Sequence, residues 1–288
     1  MRMLVCALVL LAWIPGCSQG DTSMTPARPR PPVCDGTPNL RIFMGVVGGG
    51  SWQFPPPGRQ VLYDNGTYLL VDGECRFWAR GPDPWDDVRT GVLDGVLLAQ
   101  LLEDVRHERW ADLEGIYAPG GGYDTPDILF ADTETFVVCV MGCSLGAVPE
   151  DVAAMRDALS PWRLRLWSYG TPVGGDVRVM AIRTPPPLYL EGLPTSTWPA
   201  TTPIEDLAVE YTEASSLGYG AGHLLTGAGA EIMRSLRRSY VSGVHGGFWY
   251  RYLPILEADG TFYEVAVRDT TPYEDERGLI PMLHQPRP

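Results

Sequence analysis

The segment Gly142-Cys143-Ser144-Leu145-Gly146 sets a serine hydroxyl between two glycines, a spacing that lets the chain turn tightly enough to present it as a nucleophile. Such a serine needs a neighbouring base to take its proton. The chain has 4 histidines. His107 stands between Arg106 and Glu108, where a solvated role is expected, and His284 lies in a proline-rich tail. His223 and His245 are therefore the candidate bases for Ser144.

Other chemistry is limited by what the sequence lacks. All 22 basic residues are arginine. Without lysine there can be no Schiff base, no pyridoxal phosphate attachment, no Walker lysine and no Ser-Lys dyad. Carboxylates are plentiful, but no particular pair stands out for glycoside hydrolysis. Asp83, Asp86 and Asp87 cluster around Trp85 without the ligand spacing of an EF-hand loop, and read as a solvated turn. Cys139 and Cys143 would need two further soft ligands to hold zinc, and none is suitably spaced, so neither a metal nor a cofactor is expected. A net charge of −13 and a pI near 4.7 argue against a nucleic-acid partner, which would need clustered cations. Trp85 and Trp198, set among prolines and polar residues, are the candidate contacts for a sugar or protein partner.

The Gly142–Gly146 spelling resembles the nucleophile elbow of the α/β-hydrolases, which implies Ser144 as nucleophile with His223 or His245 following in the family's chain order. His245-Gly246-Gly247 also resembles the oxyanion-loop triplet of some lipases, although that triplet precedes the elbow there. The alternative is a glycine turn closing a strand. That alternative is preferred, because 33 glycines make the spelling cheap and Gly16-Cys17-Ser18-Gln19-Gly20 repeats it near the amino terminus.

That terminus carries its own pattern. Arg2 precedes a continuous apolar run from Leu4 to Ile14, the charged and apolar regions of a signal peptide. As a helix the run would rise about 16 Å, short of the roughly 30 Å of hydrocarbon that a spanning helix must cross. Ile14-Pro15-Gly16-Cys17 then resembles the lipobox of bacterial lipoproteins. The resemblance implies cleavage before Cys17, acylation of that cysteine and anchorage in a lipid bilayer, and Ser18 resembles the second residue of lipoproteins sent to the outer membrane. The polar, proline-rich residues that follow cannot bury enough apolar surface to order themselves, and read as a tether. In an exported chain the four remaining cysteines suggest two disulfides. The favoured pairing is Cys34 with Cys75 and Cys139 with Cys143.

Strands are expected at 40–47, 61–63, 68–71 and 75–79, followed by an amphipathic helix over about 91–108. A second unit of two strands (128–130, 135–141) and a helix (149–159) repeats the order. A segment at 164–169 and a strand at 177–182 follow, then a helix over 227–241 and a hairpin pairing 249–256 with 261–267. The expected fold class is α+β, an antiparallel sheet built from strand-strand-helix units with helices on one face. The expected divisions are a signal peptide (1–16), a disordered tether (17–37), an α+β domain (38–183), a proline-rich linker or loop (184–202) and a helix-hairpin unit (203–288) that belongs to the same domain or stands apart. Together these readings favour a membrane-tethered envelope lipoprotein that binds a protein or polysaccharide partner. The alternatives are an envelope serine hydrolase using Ser144 and a structural envelope component.

Overall fold

The computed structural model describes residues 32–46, 68–82, 86–105, 110, 113, 115–117, 126–131, 136–140, 148–186, 195–210, 222–239, 244–245, 248–249 and 253–274. The expected signal peptide, Cys17 and the first part of the expected tether lie outside them, as does the expected strand at 61–63.

The fold is α+β. Its first sheet contains β1 (Leu40–Val46), β2 (Tyr68–Asp72), β3 (Arg76–Arg80), β4 (Val88–Val92), β5 (Gly115–Tyr117), β6 (Pro126–Ala131), β7 (Phe136–Val140) and β8 (Thr171–Pro172). They lie in the order β5-β7-β6-β1-β2-β3-β4-β8, all antiparallel except the β5–β7 pair. Register follows the period of two: Leu69 pairs with Ala79 and Val71 with Phe77. These side chains, with Ile42 and Met44 of β1, form one buried face. Strand β4 was not foreseen, because Gly91 interrupts a short polar run. Its glycine is required there, since a Cβ at Gly91 would come within 2.8 Å of the Phe77 ring across the pair.

Two helices cover that face. Helix α1 (Gly95–Val105) starts later and ends earlier than the 91–108 pattern, opening where Asp94 Oδ1 accepts the backbone N–H of Val96 (2.9 Å) and Leu97 (2.8 Å). Helix α2 (Glu150–Tyr169) continues ten residues past the expected end and absorbs the segment 164–169. Pro161 falls inside the helix. Val152, Met155, Leu159, Trp162 and Leu166 recur at intervals of three and four and are all buried, while Pro161 is exposed. Burial of this stripe outweighs the one intrahelical bond that the proline removes on the solvent side. Trp162 Nε1 donates to Asp104 Oδ2 (2.6 Å), joining α2 to α1.

The second sheet contains β9 (Val177–Arg183), β10 (Ala208–Glu210), β11 (His223–Leu225), β14 (Leu253–Leu256) and β15 (Phe262–Asp269), in the order β10-β9-β15-β14 with β11 also paired to β9. Helix α3 (Gly227–Ser239) packs Ala230 and Met233 against Val177, Val179, Val265 and Val267. A separate two-stranded pair joins β12 (Val244–His245) to β13 (Phe248–Trp249).

The second sheet takes β9 from before the 184–202 stretch and its other strands from after it, so the chain is not divided there into two independent halves. Residue Ser196, inside that stretch, donates its N–H to Pro254 O (3.0 Å) and accepts from Leu256 N (2.9 Å), extending the β14 edge. At the other end, order begins inside the expected tether. Val33 is buried, and Cys34 is disulfide-bonded to Cys75. Gly36 N–H donates to Gly73 O (2.7 Å), and a Cβ at Gly73 would lie 2.5 Å from Thr37 O. Only a glycine lets the incoming chain lie this close to the β2–β3 turn.

Candidate functional site

The chemistry-bearing side chains that the fold brings together lie where the two sheets meet. On α3 the buried positions are Ala230, Met233, Arg234 and Arg237, a helical stripe whose lower half is cationic. Both arginines are 1% exposed. Between them sits Asp269, the last residue of β15. Its Oδ1 accepts from Arg234 Nε (2.8 Å), and its Oδ2 accepts from Arg237 Nη2 (2.8 Å) and from Val88 N–H (3.1 Å) on the first sheet.

Asp87, just before β4, completes the bridge. Its Oδ1 lies 2.5 Å from Arg237 Nη2 and its Oδ2 2.9 Å from Arg238 Nε. Arg234 also reaches Glu231 (2.8 Å) and the carbonyl of Asp176 (3.3 Å). Three guanidinium groups thus face three carboxylates, so the cluster balances its own charge. Burial pushes the Asp269 carboxyl up, but the Arg237 charge and the Val88, Arg237 and Arg234 hydrogen bonds outweigh it and hold the group below the ordinary carboxylate range. Burial lowers Arg237 in turn, and Asp269 and Asp87 more than restore it.

A second cluster continues the seam. Glu274 lies 2.5 Å from Arg268 Nη1 and 3.2 Å from Arg178 Nε, and accepts Thr271 N–H (2.9 Å). The adjacent Tyr273 donates its hydroxyl to Asp72 Oδ2 (2.7 Å) and meets Trp78 edge-on at 5.3 Å between ring centroids. Asp72 is fully buried and also accepts Arg76 N (2.7 Å), Arg76 Nε (2.8 Å) and Glu74 N (3.0 Å). Burial, then the Asp72 carboxylate, raise the Tyr273 hydroxyl well above its ordinary pKa. Burial likewise raises the Tyr68 hydroxyl.

What this arrangement does chemically is hold two sheets together through matched, desolvated charge. Asp269 is held as an acceptor and Tyr273 as a donor. Neither state suits a group that must exchange a proton near neutrality.

The residues singled out from sequence are placed unequally. Ser144, Cys143, His107, His284 and Trp85 lie outside the described residues, as does Cys17. Cys139 falls in β7 and His245 in β12, with their side chains outside the described set. His223 opens β11, is exposed, and pairs through its backbone with Val179. Trp198 is half-buried against the second core and donates its indole N–H to Thr202 O (2.6 Å), so much of its ring is committed to packing. The Asp83–Asp87 turn, expected to be solvated, instead supplies Asp87 to the buried cluster. Cys34 and Cys75 are bonded as expected.

The Arg234–Arg237–Asp269 cluster was missed from sequence. The available signal was the phase of α3, since Arg234 and Arg237 continue the stripe of Ala230 and Met233 on the face that should be apolar. Among the described residues no three His, Cys, Asp or Glu side chains converge as a metal site, and no helix is long and apolar enough to cross a membrane. Compared with protein-family models, curated proteins and solved structures, the chain matches none.

Proposed function

We propose that this chain is an acylated envelope lipoprotein whose α+β domain, held to a bilayer through Cys17, acts as a binding module for a protein or polysaccharide partner. The observation that carries the reading is the Cys34–Cys75 disulfide. A stable disulfide belongs to an oxidising compartment outside the cytosol. That is where the apolar run and the Ile14-Pro15-Gly16-Cys17 pattern would deliver the chain. The bond also clamps the polypeptide at the point where the proline-rich tether ends, so tension on the tether is borne by a covalent crosslink. The buried ion pairs add support for a binding role, because among the described residues they commit Asp269, Arg234 and Arg237 to structure.

The test has two arms. Cells given an alkyne-tagged fatty acid should label the wild-type protein and not Cys17→Ser, and the mature amino terminus should be an acylated Cys17. Capture of the membrane-extracted wild type under mild crosslinking should then return a specific envelope protein or glycan. An unmodified amino terminus beyond residue 17 defeats the anchor, and capture of nothing above background defeats the binding role.

A further inference from the structure

We infer that the two sheets are two lobes joined by a hinge at Gly174-Gly175, and that Tyr273 is the latch that holds them closed. Every strand of the first sheet lies between Leu40 and Pro172, and every strand of the second between Val177 and Asp269. The sheets are therefore separated in sequence by the short link 173–176. Each lobe has its own buried core. Ile42, Phe77 and Leu159 belong to the first, Val179, Met233 and Val265 to the second, and among the described residues the two cores share no member.

The link is built as a hinge. Val173 is fastened to the first lobe, where its N–H donates to Val88 O (2.8 Å). Asp176 is fastened to the second, where its carbonyl accepts Thr270 N–H (3.2 Å) and Arg234 Nη2 (3.3 Å). Between these anchors stand Gly174 and Gly175, both exposed. Gly175 has a φ of +102°, which calls for glycine. Gly174 has no such requirement, since its φ lies outside the left-handed region and a Cβ there would meet nothing within 4 Å. What glycine supplies at that position is backbone rotation, and a hinge is where a fold uses it.

The contacts between the lobes divide into a pivot and a latch. Val88 accepts from Val173 and donates its own N–H to Asp269 Oδ2 (3.1 Å), while Asp87 beside it holds Arg237 and Arg238. This buried charge adjoins the link, so rotation about the glycines moves it least. Tyr273 lies further out. Glu274 ties the segment after β15 back to the second lobe through Arg268 (2.5 Å) and Arg178 (3.2 Å). From that base the Tyr273 hydroxyl reaches Asp72 (2.7 Å) and its ring meets Trp78, both on the first lobe. Strand β2 is two strands from β4, about 10 Å across the sheet. Arg76, bonded to Asp72, pairs with Val92, four residues along β4 from Val88. Opening here breaks one hydrogen bond and one ring contact, and leaves both cores and the pivot in place.

The experiment measures electron–electron distances between spin labels carried by genetically encoded amino acids in the full-chain protein. Pairs 103 with 259 and 164 with 259 report the hinge, pair 103 with 164 the first lobe, and pair 235 with 259 the second; all four positions are exposed. Wild type should give one narrow distribution for each pair. Tyr273→Ala should shift or broaden at least one hinge pair by about 5 Å or more while both within-lobe pairs stay unchanged. Tyr273→Phe, which keeps the ring, should fall between. Adding Gly174→Val to Tyr273→Ala should remove at least half of the change, because a β-branched residue stiffens the link. A smaller change in both hinge pairs overturns the hinge, and so do within-lobe pairs that broaden along with them, since Tyr273 would then hold one cooperative body. Hinge pairs already broad in wild type overturn the latch. A change undiminished by Gly174→Val places the motion elsewhere and overturns the hinge at these glycines.

Discussion

Tyr273 donates its hydroxyl to Asp72 at 2.7 Å across 201 residues of sequence, fastening the segment after β15 to the β2–β3 turn. This hydrogen bond belongs to a carboxylate that is fully buried and accepts four other donors. Tyr273→Phe keeps the edge contact with Trp78 and removes only the hydroxyl. It should cost about 1 kcal/mol, because Asp72 retains its other partners. Tyr273→Ala also loses the aromatic contact and should cost more, about 2–3 kcal/mol. Equilibrium denaturation with the disulfide intact reads both, and equal losses in the two variants would show that the hydroxyl carries all of the contact.

Asp269 holds two desolvated guanidinium groups, so its removal should be felt far more strongly. Asp269→Asn leaves three guanidinium groups facing only Asp87 and Glu231 and takes the fully buried anion from between Arg234 and Arg237, and should destabilise the fold by about 3–5 kcal/mol. The triple variant Arg234→Met, Arg237→Met, Asp269→Leu removes charge from both sides at similar volume, and should recover most of that loss. If the triple variant is no more stable than Asp269→Asn, the penalty lies in packing and not in unpaired charge.

Acid sensitivity follows from the same carboxylate. The folded-state pKa of Asp269 is held below its unfolded value, so the folded state binds this proton more weakly. Its contribution is complete above the ordinary carboxylate range and is lost as pH falls through the depressed folded value. Stability should therefore drop on acidification below about pH 4, and the drop should be shallower in Asp269→Asn. Denaturation midpoints collected from pH 7 to pH 2 provide the check, and parallel curves for the two proteins would refute the assignment.

Much of the first sheet was legible in the sequence, because β1, β2, β3, β6 and β7 announce themselves through β-branched and aromatic runs bounded by turns. Strand β4 was hidden, since Gly91 is dictated by the Phe77 ring on its neighbour and that contact is not local. Helix α2 extends past the expected end at 159, because the loss of a single backbone bond at Pro161 is small against a five-residue buried stripe. The seam between the sheets was the least legible part. Asp87, Asp269 and Arg237 are far apart in the chain, and charged side chains read by default as solvated. Only the phase of α3, with two arginines where apolar residues belong, betrayed the cluster.

Cys75 combines a crosslink with a backbone position that disfavours its own side chain. It is the only non-glycine with positive φ among the described residues, at +61°. The disulfide to Cys34 closes a sequence separation of 41. Loop-closure entropy for that span gives a stabilisation of about 4 kcal/mol in the chain-entropy account. Reduction, or the double variant Cys34→Ser with Cys75→Ser, should remove an amount of that order. Pairing Cys34→Ser with Cys75→Gly removes the same crosslink and also relieves the left-handed conformation, worth about 1 kcal/mol at a residue that bears a Cβ. The glycine variant should therefore be the more stable of the two uncrosslinked proteins, although the unfolded chain gains freedom from glycine and narrows the gap. Denaturation of the pair side by side measures that difference. A serine variant as stable as the glycine variant, or more so, would mean that the turn is held by Asp72 and Gly73 strongly enough to make the residue type at position 75 indifferent.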